Sequence, residues 1–103
     1  MSAYFLSREA DRDLDEIWYY IAEDSVDAAD RLVGKFFAAF DSLARNPRIG
    51  HSRKDLTQHE LLFWPVGNYL VIYRPEQHPI QIVAIVRGSR DIPTFLRRRR
   101  NSD

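Results

Sequence analysis

Apolar positions recur along the first half of the chain with a helical period. Ala10, Leu14, Ile17, Trp18 and Ile21 lie at spacings of 4, 3, 1 and 3, with acids filling the opposite face. Ser7 stands where an N-cap is wanted, and Glu9 and Asp11 follow in the first turns, where negative charge suits the helix dipole. A second helix reads from Ser25 through Ala29, Leu32, Val33, Phe36, Phe37, Phe40, Leu43 and Ala44. Asn46-Pro47 stops it, because the residue before proline is pushed out of the α region. The short gap between the helices predicts an antiparallel hairpin with the Phe36, Phe37 and Phe40 stripe in the core.

The second half changes period. Three β-branched and aromatic runs, about 58–64, 68–74 and 80–87, are separated by Val66-Gly67-Asn68 and by Glu76-Gln77-His78-Pro79. They predict an antiparallel meander. The run Ile80–Val86 is apolar at nearly every residue, as expected of a strand that is central in its sheet or covered on both faces. Ala3-Tyr4-Phe5-Leu6 reads as a first strand, residues 47–57 as a basic loop, and Ile92-Pro93-Thr94-Phe95-Leu96 as the start of a short last helix. The expected fold class is α+β, ordered β-α-α-β-β-β, with a helical hairpin packed on a small antiparallel sheet. One domain over residues 1–103, with 93–103 as a basic C-terminal segment, is the expected organisation.

A net charge of zero conceals an asymmetry. Residues 1–30 hold nine acids and two arginines, whereas residues 31–103 hold thirteen bases and six acids. The basic part contains Arg87, Arg90 and the run Arg97-Arg98-Arg99-Arg100. Such a run suits an acidic protein groove or nucleic acid, and a solvated terminus equally. There is no cysteine, which excludes disulfides and thiolate chemistry and agrees with a reducing cytoplasm. No basic and apolar leader opens the sequence, and no apolar run is long enough to span a membrane.

The chemistry on offer is narrow. His51, His59 and His78 fall in a loop, a strand start and a turn, without metal-ligand spacing, so neither metal nor cofactor is expected. No nucleophile elbow or phosphate loop is present. Metal-free RNA cleavage would need a base, a cation and an acid. Arg74, Arg87, Arg90 and Tyr73 supply charge and a hydroxyl, but an arginine stays protonated and cannot be the base. Stoichiometric binding asks only for surface. Arg87, Arg90 and Asp91 also suit an ion-pair cluster that closes the end of the sheet and caps the final segment.

Taken in order, Ser7-x-x-Ala10-x-x-Asp13-Leu14-x-x-Ile17-x-x-Tyr20-Ile21-Ala22, Asn46-Pro47-x-x-Gly50-x-x-Arg53-x-x-Leu56, Pro65-Val66-Gly67-Asn68-Tyr69-Leu70-Val71-Ile72-Tyr73-Arg74 and Gly88-Ser89-Arg90-Asp91 resemble the ParE branch of the RelE/ParE toxin superfamily over about residues 3–92. The resemblance implies the toxin of a type II toxin–antitoxin pair, in the cytoplasm, binding and inhibiting DNA gyrase. It implies an antitoxin whose C-terminal segment folds on the toxin and which alone contacts operator DNA. The chain departs from the RelE side, whose members cut mRNA on the ribosome. Leu62 stands where many members have arginine, and Arg87 where histidine often precedes Gly-Ser-Arg-Asp. On this reading Tyr73, Arg87, Arg90, Phe95, Arg97 and Arg98 carry toxicity, and Arg53, Lys54 and Arg74 meet the antitoxin. A RelE-type endonuclease, or a degenerate toxin that only binds antitoxin, are the alternatives.

Overall fold

The computed structural model describes residues 4–101, with side chains to Arg99. The elements run β1 (Tyr4–Leu6), α1 (Arg8–Ala22), α2 (Val26–Arg45), β2 (Leu62–Val66), β3 (Tyr69–Arg74), β4 (Ile80–Arg87) and α3 (Ile92–Asn101). Both helix starts are capped by the expected serines. Ser7 Oγ accepts the Ala10 N–H at 3.0 Å, and Ser25 Oγ accepts the Ala28 N–H at 3.1 Å. Ala3, read as part of the first strand, lies outside the described residues.

The sheet order is β1-β4-β3-β2. The meander β2-β3-β4 is antiparallel as expected, and Gly67 takes a positive φ of 58° in its first turn. The sheet as a whole is mixed, because β1 lies parallel to β4, pairing Tyr4 with Ile80 and Leu6 with Ile82. β2 begins later than the expected 58–64 and extends through Trp64-Pro65-Val66. Residues before it fold back on themselves, with Leu61 N–H donating to His59 O at 2.8 Å. Proline is admissible in β2 because β2 is an edge strand.

β4 lies inside the sheet and is covered on both faces. Opposite it, Tyr73 pairs with Ile82 and Ile72 with Ala84, which leaves Val83 as a bulge residue. The bulge switches the parity of the strand. Ile80, Ile82 and Ile85 face the helical hairpin, packing with Leu14, Phe36, Phe40 and Leu43. Ala84 and Val86 face α3, where they meet Phe63, Ile72, Ile92, Phe95 and Leu96. Two covered faces and one parity switch explain why the run reads as continuously apolar.

The phenylalanine stripe divides. Phe36 and Phe40, four residues apart, are fully buried, and Phe36 meets Tyr69 edge-on at 5.6 Å. Phe37, about 100° further round the helix, is 41% exposed and only borders the core against Phe40. The hairpin is tied at its tip by Trp18 Nε1–H donating to Asp30 Oδ1 at 2.8 Å.

Candidate functional site: the arginine corner at the end of the sheet

The chain leaves β4 through Arg87-Gly88-Ser89-Arg90-Asp91 and turns into α3. Gly88 N–H donates to Asn68 O at 2.8 Å, fixing this corner against the β2–β3 turn, and Arg90 N–H donates to Arg87 O at 3.0 Å. Asp91 caps α3: Oδ1 accepts the Thr94 N–H at 3.2 Å and Oδ2 the Thr94 hydroxyl at 3.0 Å. Those donors, the backbone N–H first, hold the Asp91 carboxyl below the usual carboxylate range. Asp91 thus caps the last helix, as the sequence reading of this cluster expected, with Thr94 rather than Arg87 or Arg90 on its carboxylate.

The exposed cations of the corner rest on rings. The Arg87 guanidinium lies 5.9 Å from the centre of the Tyr69 ring, and that of Arg90 lies 4.8 Å from Phe95. Phe95 is itself 9% exposed, so it positions guanidiniums more than it offers a contact of its own. Arg97 and Arg98 are exposed on α3, with Arg97 Nη2 donating to Thr94 Oγ1 at 3.1 Å. The arginine run is therefore helical, and not the frayed tail its composition also allowed.

Arg99 points the other way. Its Nη2 reaches Asp13 Oδ1 at 3.2 Å, Nη1 reaches the Val83 carbonyl at 3.1 Å, and its guanidinium also lies 4.5 Å from the Phe95 ring. Asp13 Oδ2 accepts the Ile85 N–H at 3.0 Å, and the Ser7 hydroxyl donates to Val83 O at 3.3 Å. The location follows from the topology. β1 ends opposite Ile82, so the outer edge of β4 from the bulge onward has no strand beside it. Asp13, Ser7 and Arg99 supply the donors and acceptors that a longer β1 would have supplied. The side chains of Arg99 and Asp13 are 20% and 13% exposed. Burial, set against the Ile85 N–H and Arg99, leaves the Asp13 carboxyl raised above its ordinary value.

Sequence reasoning grouped Asp13 with the solvated acids. The signal was present: Asp13 is three residues after buried Ala10 and next to buried Leu14, on the flank of the apolar face. Asp13, Glu16 and Tyr20 of α1 face Arg87 and Arg90 across a groove of about 270 Å³.

Tyr73 does not belong to this surface. It is fully buried among the hairpin-facing residues. Its hydroxyl donates to Pro47 O at 2.6 Å and accepts the Gly50 N–H at 3.0 Å, and burial raises its pKa. A Cβ on Gly50 would stand 2.5 Å from that hydroxyl, so glycine is required there. Tyr73 pins the loop after α2 to the sheet. Tyr73→Phe is expected to lower stability by about 1 kcal/mol through the two half-buried backbone groups it leaves unpaired, measured by urea unfolding. An unchanged midpoint would contradict that role.

The residues expected to meet an antitoxin are all exposed but are not one cluster. Arg53 forms a two-pronged pair with Asp55, at 2.8 and 3.0 Å, and Lys54 stands between them in the loop. Arg74 ends β3 and lines a separate cleft with His59 and Gln81. His51 forms a bridge to Phe63 and stacks on Trp64 at 5.9 Å. Among the described residues, no three histidine, aspartate or glutamate side chains gather as a metal site. No helix among them is long and apolar enough to cross a membrane.

The sequence profile of the family described as "ParE toxin of type II toxin-antitoxin system, parDE" matches residues 4–92. The chain belongs to the ParE toxin family. It is also 32% identical over 85 residues to the Sinorhizobium fredii protein Y4kP, which carries a toxin name; the match covers 82% of this chain and 86% of that protein. In fold it is similar to a solved chain of the chromosomal ParDE TA system from P. aeruginosa, with a TM-score of 0.69 at 21% identity, covering 84% of this chain and 96% of that one. The ParE match ends at Ile92, the first residue of α3. The Gly-Ser-Arg-Asp corner is thus inside the shared ParE region, and the basic face of α3 beyond it.

Proposed function

We propose that this ParE-family toxin inhibits DNA gyrase by stoichiometric binding, and that a cognate antitoxin neutralises it. The observation that carries the reading is the arginine corner within the matched region. Arg87 and Arg90 are exposed on a hydrogen-bonded turn, and exposed Arg97 and Arg98 follow on α3. Guanidiniums held on aromatic rings bind and orient an anionic partner. They cannot serve as the general base that metal-free RNA cleavage requires. The one hydroxyl proposed for such chemistry, that of Tyr73, is enclosed and committed to the backbone. Binding therefore fits the site better than strand cleavage. Arg53, Lys54 and Arg74 are proposed to meet the antitoxin, with Arg53 exchanging Asp55 for a carboxylate of the partner. Contact with operator DNA runs through the antitoxin.

Induced expression in bacteria tests the reading. A DNA-damage response with filamentation, relieved by the antitoxin, is the expected result. Immediate arrest of translation would favour mRNA cleavage, and harmless expression of a folded protein would indicate a chain that retains only antitoxin binding.

A further inference from the structure

The outer face of α2 carries charges in an order that is its own complement. Asp27, Arg31, Gly34, Ala38, Asp41 and Arg45 recur at spacings of 4, 3, 4, 3 and 4, the seam by which two helices pack along their length. At 100° per residue, all six lie within about 40° of the direction opposite buried Phe36. Five of them are exposed and Asp41 is half-buried. The ends of the row are charged and its middle is small.

Turned about a two-fold axis level with residue 36, the row meets itself antiparallel. Asp27 then faces Arg45 of the second copy, Arg31 faces Asp41, and Gly34 faces Ala38. The axis repeats each contact, so every charge in the row meets its opposite. A parallel pair instead sets each residue on its own copy, acid on acid. An antiparallel pair centred on Gly34 sets Asp27 on Asp41, and one centred on Ala38 sets Arg31 on Arg45. Of these arrangements only the first pairs opposite charges throughout. A foreign partner has no need of that symmetry, whereas a second copy requires it.

The middle of the row permits close approach. Gly34 sits in the interior of α2, where glycine weakens a helix. A Cβ there would meet nothing within 4 Å among the described residues, so packing inside the chain does not ask for glycine. Phe37 flanks the row and is 41% exposed. In this register it is level with Lys35 of the second copy, whose aliphatic stem can cover the ring.

We infer that the outer face of α2 is a homodimer interface, with two copies packed antiparallel through α2 about that axis. The charges set the register, while Gly34, Ala38 and Phe37 supply the apolar area. One helix face buries less than about 1,200 Å² in total, the class of weak, exchanging complexes. α3 packs on the sheet face turned away from the hairpin, so the dimer leaves Arg97 and Arg98 free and presents two arginine corners at once.

Sedimentation equilibrium of the purified full chain tests this. A monomer–dimer equilibrium is expected, with a dissociation constant on the order of 10–100 µM that weakens as salt rises. Arg31→Asp sets acid against acid across the axis and is expected to weaken the dimer at least about tenfold. Arg31→Asp combined with Asp41→Arg exchanges the two signs and is expected to restore it to within about twofold of the parent. Gly34→Leu is expected to abolish the dimer while the monomer stays folded, with Tm unchanged or higher, because its own chain leaves that space open. A monomer at every concentration overturns the inference. So does a dimer that survives Gly34→Leu, or one that the single and double charge variants weaken alike.

Discussion

Arg99→Ala is expected to destabilise the protein by about 3 kcal/mol at neutral pH, a loss of roughly 10–20 °C in Tm for a chain of this size. The substitution removes a guanidinium that is 20% exposed and leaves its partner, the 13% exposed carboxylate of Asp13, uncompensated. It also frees the Val83 carbonyl from its 3.1 Å bond and uncovers the Phe95 ring. The pH dependence of the defect distinguishes this cause from lost packing. Burial raises the Asp13 carboxyl even with Arg99 in place, so the folded state takes up its proton at a higher pH than the unfolded state. The contribution of such a group is fully present below its unfolded pKa and is lost as pH rises through the folded one. Without Arg99 the folded value rises further. The deficit of Arg99→Ala against the parent is therefore largest near neutrality and shrinks on acidification toward the usual carboxylate range. Asp13→Asn in the Arg99→Ala background should restore much of the loss at neutral pH, since asparagine keeps an acceptor for the Ile85 N–H without the charge. Urea unfolding of the three variants at several pH values measures all of this. A deficit independent of pH would show that Arg99 contributes packing alone.

Reversing charge at the corner is the second large effect. Arg87→Glu with Arg90→Glu is expected to reduce inhibition of the target by roughly 100-fold, since arginines at the centre of an interface carry a disproportionate share of binding energy. Both residues are exposed, and the neighbouring Asp91 carboxylate is taken up by Thr94, so the fold should tolerate the change. What is lost in the free protein is the stacking of Arg87 on Tyr69 and Arg90 on Phe95, about 0.5–1 kcal/mol each for exposed cations. Dose–response titration of target inhibition, alongside unfolding curves, separates the two. A soluble, folded double variant with undiminished toxicity would remove Arg87 and Arg90 from the toxic surface.

The helices were legible because their signals are local: serine caps, apolar spacing and a proline stop act within a few residues of one another. Centrality of β4 was legible from its unbroken apolar run, but the bulge at Val83 was not, because it depends on register with β3. Strand direction was hidden for a similar reason. Three residues, Tyr4–Leu6, pair equally well in either sense, and the parallel choice is made by where the hairpin returns the chain. Phe37 departs from the expected core stripe because a step of about 100° round the helix separates it from Phe36. Tyr73 shares the face of Tyr69, as period-2 spacing requires. Its enclosure depends on the 47–50 loop folding over it, a contact between segments more than twenty residues apart. The two roles within the arginine run, Arg97 and Arg98 outward and Arg99 inward, depend on a partner 86 residues away, and nothing in four consecutive arginines distinguishes them.

Action on gyrase by binding is the proposed function of this ParE-family protein. Supercoiling by purified gyrase, titrated with the protein alone and after preincubation with its antitoxin, tests that most directly. The account predicts inhibition that saturates at stoichiometric ratios, disappears with antitoxin and fails with the Arg87→Glu, Arg90→Glu variant. Full supercoiling activity in the presence of a folded protein that is toxic in cells would contradict it.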